Sequence, residues 1–138
     1  MNEKVFLRVR GTQRGSDAQE ETSELRCEGV LRQTADGWLL AYEEPQTTEG
    51  RVKALLRLAG GRVTLTRRGA VRSELTFAEG ERHTAYYALP LGRLTMEVIT
   101  ERVRDALPDE LELFYRLAVD GETVSEHRLL FLIGRAET

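Results

Sequence analysis

The chain has 138 residues, 41% apolar and 31% charged, which suits one self-contained core and excludes a disordered segment. Its formal net charge of −3 gives no general attraction for phosphate backbones, so nucleic acid is not an expected partner. The longest apolar run, Leu129 to Ile133, is far too short to cross a bilayer, and no membrane association is expected. Cys27 stands alone, so no internal disulfide can form. The opening Met1 to Leu7 has no basic segment followed by an apolar one. Both features fit a cytoplasmic protein, and the length fits a single domain over residues 1–138.

Val5, Leu7 and Val9 open a first strand, which is expected to end in the polar, glycine-bearing loop Gly11 to Asp17. A second strand covers about Glu21 to Gln33, with Leu25, Cys27 and Leu31 on one side, so Cys27 reads as a small buried hydrophobe. Ala35-Asp36-Gly37 has hairpin chemistry, and Trp38, Leu40 and Tyr42 carry a third strand closing at Glu43-Glu44-Pro45. From Gly50 to Phe77 the alternation is clearest: Val52, Ala54, Leu56 and Leu58, a turn at Gly60-Gly61, then Val63 and Leu65, a turn at Gly69, then Val71, Leu75 and Phe77. This is an antiparallel meander.

Residues 47–60 also fit a capped helix, with Val52, Leu55, Leu56 and Ala59 at helical spacing; the strand is preferred because its neighbours are strands. His83, Ala85, Tyr87 and Leu89 form the next strand, Pro90-Leu91-Gly92 interrupts it, and Leu94, Met96, Val98 and Thr100 resume the alternation. Residues 100–105 lose alternation, which leaves room for a helical turn before the connection Asp105 to Glu110. Leu111, Leu113, Tyr115, Leu117 and Val119 alternate without a break, Asp120-Gly121 turns, and Thr123 to Gly134 supplies the last strand. The whole reads as an all-β protein, an up-and-down antiparallel meander closed into a barrel of about 8 to 10 strands.

Tyr42-Glu43-Glu44, Gly50-x-Val52-Lys53, Arg67-x-Gly69, Phe77-x-x-Gly80, Tyr87-x-x-Pro90-x-Gly92, Thr100 and Tyr115 occur in an order and spacing that resembles the YwiB-like family of uncharacterised bacterial barrels. The resemblance runs from about Gly29 to Ile133. It implies a lipocalin-like, calycin-type barrel, and it carries no activity.

In a closed barrel alternate residues face inward, so polar residues sharing parity with apolar ones are candidates for an internal site. Arg67 shares parity with Val63 and Leu65, Ser73 with Leu75, His83 with Tyr87, Tyr115 with Leu113, and His127 with Leu129 and Phe131. The candidate ligand-binding residues are therefore Arg67, Tyr87, Tyr115, His127, His83 and Tyr42, with Arg67 as a forked donor for an anionic or amphipathic small molecule. The competing explanation makes Arg67 a turn residue and the histidines solvated strand ends. Trp38, Phe77 and Phe114 read as core.

No metal-ligand spacing, nucleophile elbow or phosphate loop is present, so no catalytic residue, metal or cofactor is expected, and the default is a non-enzyme. Arg62, Arg67, Arg68 and Arg72 cluster across one hairpin, but interspersed glutamates favour a solvated exterior. The leading function is a small-ligand-binding barrel. The alternatives are a structural or protein-interaction module with a filled interior, with room for a homodimer, and an enzyme using Tyr, Arg and Glu at the barrel mouth.

Overall fold

A computed structural model describes residues 2–15, 17, 19–47, 50–89 and 92–135. Ten strands follow in chain order: β1 Asn2–Gly15, β2 Glu20–Gln33, β3 Gly37–Thr47, β4 Gly50–Ala59, β5 Arg62–Gly69, β6 Arg72–Phe77, β7 Arg82–Leu89, β8 Gly92–Ala106, β9 Glu110–Val119 and β10 Glu122–Arg135. Each pairs antiparallel with its chain neighbour, and β1 closes the barrel on β10. Closure removes both sheet edges, so no row of backbone donors is left for another strand.

The alternation sets inside and outside. In β4, Val52, Ala54, Leu56 and Leu58 are buried, whereas Leu55 faces out and is 43% exposed. A helix would have needed Leu55 and Leu56 on one face, and the strand separates them. The loss of alternation after Thr100 is a shift of register between Thr100 and Arg102 against β9, not a helical turn. One extra residue there lets β8 continue to Ala106 while re-aiming its side chains. The first strand is also longer than expected. β1 runs on through Gly11 to Gly15 because β2 and β10 pair with it on both sides, satisfying its backbone whatever the glycines prefer.

Two rims follow from the topology. The turns at 34–36, 60–61, 78–81 and 107–109 lie at one, and the turns at 70–71 and 120–121, with the strand ends at Gly15, Glu20, Gly50 and Gly92, at the other. Toward the first rim the interior is filled: Val5, Leu31, Val63, Phe77, Leu111 and Phe131 are each at most 1% exposed. Trp38 packs against this core from a half-buried position. Phe114, expected in the core, instead faces outward beneath Arg128, whose guanidinium carbon sits 5.5 Å from the ring centre. Its neighbour Tyr115 takes the inward position, and adjacent residues on a strand cannot share a face.

Candidate functional site

Toward the second rim the inward positions turn polar. A single cross-strand row runs Gly29, Tyr42, Ala54, Arg67, Ser73, Tyr87 and Leu94 from β2 to β8. Arg67 points inward with its strand's core residues, and Glu44 of β3 reaches it: Arg67 Nε donates to Glu44 Oε2 at 2.6 Å and Nη2 to Oε1 at 2.7 Å. The fork that would have gripped an anion is thus closed on an internal carboxylate. With side chains 29% and 16% exposed, the pair sits largely inside the wall. The bond to Glu44 holds the Arg67 guanidinium firmly charged against the burial that opposes it.

Tyr42 and Tyr87 lie within the field of this pair. Burial, reinforced by Glu44, raises the Tyr42 phenol well above its usual range; burial also raises Tyr87, although Arg67 pulls the other way. Cys27, expected to be buried, is only partly so and packs against the core from the wall; burial and then the Glu44 charge raise its thiol, which stays protonated at neutral pH. A few residues along, Tyr115 packs at 4.8 Å against Phe77 and stacks at 4.9 Å and 5° on the His127 ring. His127 Nε2 lies 2.7 Å from Ser125 Oγ, and burial lowers its pKa, which keeps the imidazole neutral near pH 7. No described hydrogen bond orients its other nitrogen, so this hydroxyl–imidazole pair lacks the third group of a nucleophilic constellation.

The six sequence candidates are therefore not one cluster. Tyr42, Arg67 and Tyr87 share the row, while Tyr115 and His127 form an adjoining stack. His83 lies apart: it pairs with Val98 near the start of β7, its Nε2 is 3.4 Å from Glu81, and its buried Nδ1 has no partner. Glu44 was missed because Pro45 suggested that the strand stopped there. Its parity with Leu40 and Tyr42 was the available signal, since β3 continues to Thr47.

Two further hydroxyls complete the picture. Ser73, 6% exposed, lies in register between Arg67 and Tyr87, and Thr100, 1% exposed, is the cross-strand partner of Tyr115. Neither Ser73 Oγ nor Thr100 Oγ1 has a hydrogen-bond partner. Two clefts open at this rim: one of about 270 Å³ is lined by Gln13, Glu21, Ser23, Tyr115 and His127, and one of about 580 Å³ by Arg67, Ser73, Tyr87, Arg72 and Arg93 among others. Among the described residues no group of His, Cys, Asp and Glu could hold a metal ion.

On the outer wall Glu112 forms a separate network. It is 5% exposed because Arg104 of β8 and Arg128 of β10 fold over it, with Arg104 Nε donating at 3.0 Å and Arg128 Nε at 2.5 Å. Burial raises its pKa, but the bonds from Arg104 and Arg128 outweigh that and leave it below the ordinary carboxylate value. These three side chains tie β8, β9 and β10 together from outside.

Architecture and site together define a closed, ten-stranded antiparallel barrel whose interior is apolar and packed at one end and polar at the other. The family model for the domain of unknown function DUF1934 matches residues 7–130, and the chain belongs to that family. The chain is similar to the uncharacterized beta-barrel protein YwiB of Bacillus subtilis, 26% identical over 116 residues, covering 82% of this chain and 81% of that protein. The crystal structure of ywiB protein from Bacillus subtilis shares the fold with a TM-score of 0.84 at 21% identity, covering 99% of this chain and 94% of that one.

Proposed function

We propose that the protein binds a small molecule at the polar end of its barrel. The observation that carries this reading is Ser73 Oγ, a buried hydroxyl without a partner that lines the larger cleft beside the buried Arg67–Glu44 ion pair. An unsatisfied buried hydroxyl costs about 1–3 kcal/mol, and a buried ion pair is often no better than an apolar replacement. A molecule entering that cleft supplies the missing partner. Tyr87, Tyr115, His127 and Tyr42 then contribute aromatic walls and hydroxyls, and Arg67 acts through the charge it shares with Glu44. His83, near the other rim, is not part of this site. The ion pairs along the outward faces, such as Arg8–Glu24 and Arg82–Glu97, support a water-facing exterior, which is compatible with a cytoplasmic protein.

Native mass spectrometry of the gently purified protein, followed by thermal-shift screening of small-molecule pools, tests the reading. The expected result is a low-mass adduct, or a compound that raises Tm for the wild type and not for Tyr87→Phe. A bare mass together with no compound that raises Tm would overturn it.

A second reading, an interaction module, draws on the outward row Val30, Ala41 and Leu55, in which Val30 is 42% and Leu55 43% exposed. It predicts a dimer in light scattering that Leu55→Glu dissociates; a monomer at all concentrations would count against it.

A further inference from the structure

The larger cleft joins two rows of side chains that a barrel wall normally keeps apart. On the inward side stand Arg67, Ser73 and Tyr87; on the outward side stand Arg72, Ala88 and Arg93, which are direct cross-strand partners on β6, β7 and β8. All six line the one space of about 580 Å³, so at this rim the two faces are continuous. The β6–β7 ladder there is confined to Arg72–Glu74 and Tyr86–Ala88, which leaves little wall between them.

The charge in this space is lopsided. Arg68, Arg72 and Arg93 line it with Arg67, against the single carboxylate Glu74. Elsewhere on the barrel most arginines are matched, as Arg51 with Glu43, Arg62 with Glu81 and Arg82 with Glu97, although Arg32, Arg57 and Arg102 also have no ion pair among the described residues. Among the described residues no carboxylate comes within ion-pairing distance of Arg68, Arg72 or Arg93. What sets this cleft apart is the gathering of four arginines against one carboxylate in a single space, since like charges on adjacent strands repel and the chain's net charge is negative. Ala88, between Arg72 and Arg93, leaves a slot two strand spacings wide, about 10 Å, which two guanidinium groups can close over one tetrahedral anion. Ser73 Oγ, 94% buried by its residue's 6% exposure and without a partner, waits at the inner end of the same space.

We propose that this cleft binds a phosphate monoester of a small hydroxylated molecule. The phosphate, carrying about −1.5 to −2 charges at pH 7, is held between Arg72 and Arg93 with Arg68 alongside. The hydroxylated stem passes over the rim to Ser73 Oγ and the Tyr87 hydroxyl. This rests on the reading of the polar end as a ligand site and adds the chemical class. It also explains why Arg67 can be closed on Glu44: the anion is taken by the outward arginines, and the internal pair positions Ser73 and Tyr87 between charged neighbours.

Calorimetry at low salt on the full chain tests it, with glycerol 3-phosphate, inorganic phosphate and glycerol as probes. The expected result is binding of glycerol 3-phosphate, weaker binding of phosphate and none of glycerol. Arg72→Gln and Arg93→Gln, both exposed and outside the core, should each weaken glycerol 3-phosphate about tenfold, and Ser73→Ala should weaken it severalfold without affecting phosphate. Absence of binding by either phosphate probe overturns the proposal; if a neutral compound still raises Tm through Tyr87, the ligand site survives and only the phosphate class falls. Phosphate binding that Ser73→Ala leaves equal for both probes means an adventitious ion only, and also overturns it. A single-stranded oligonucleotide that binds through Arg72 and Arg93, displaces glycerol 3-phosphate and ignores Ser73 would replace the small molecule with a nucleic-acid backbone.

Discussion

The two ends of this barrel are built from the same alternating strands and obey opposite rules. At the end holding Phe77, Val63, Leu31 and Leu111, the interior is filled by buried apolar side chains, and polar groups such as Glu3, Arg135 and His83 come in only around the rim. At the other, the inward positions of β3, β5, β6 and β7 are Glu44, Arg67, Ser73 and Tyr87, and the wall opens into clefts. Burial stabilises the first end and is opposed at the second by desolvated charge and the unpaired Ser73 hydroxyl. The barrel therefore has a foundation and a working face.

Substitutions that cross this division should separate the two. The largest effect is expected for Phe77→Ala, fully buried at the apolar end, which should lower stability by about 3–5 kcal/mol in urea unfolding. A loss below about 1 kcal/mol would mean that the core relies less on that end than its packing indicates. Next comes Arg67→Met, which leaves Glu44 without its counter-ion inside the wall. Because both side chains keep some exposure, the expected loss is about 2–3 kcal/mol, under the 3–5 of a fully buried pair.

Glu112→Gln tests the outer network and should cost about 1–2 kcal/mol at neutral pH through weakened bonds from Arg104 and Arg128. Since the folded pKa of Glu112 lies below the ordinary 4.5, its contribution is complete above that value and disappears as pH falls through the lower folded one. Wild-type and variant stabilities should therefore converge in acid; parallel curves would remove the glutamate from the argument. The smallest effect has the opposite sign. Ser73→Ala and Thr100→Val each remove a buried hydroxyl with no partner and should stabilise the unliganded protein by about 1 kcal/mol, with the serine change weakening ligand binding.

The apolar end was legible in the sequence because period-two alternation is its whole content. Val52 to Leu58 could be read as strand from parity and from its neighbours, even though Leu55 and Leu56 imitate a helix. The polar end was only partly legible. Parity put Arg67, Ser73 and Tyr87 inside, but whether Arg67 was free depended on Glu44, which lies 23 residues away behind a proline. Alternation does not state which inward residues meet across a closed barrel; register does, and a single extra residue, as between Thr100 and Arg102, resets it. Glu112 shows the same limit from outside: its outward parity was plain, and its burial comes from two arginines on neighbouring strands.

The central claim is that the polar end is kept for binding at the expense of stability, and Glu44→Leu combined with Arg67→Met measures it directly. Urea unfolding of that double variant should show a protein as stable as the wild type or more so, by up to about 4 kcal/mol, that no longer takes up the ligand detected by mass spectrometry. A double variant as unstable as Arg67→Met alone, or one that still binds, would contradict it.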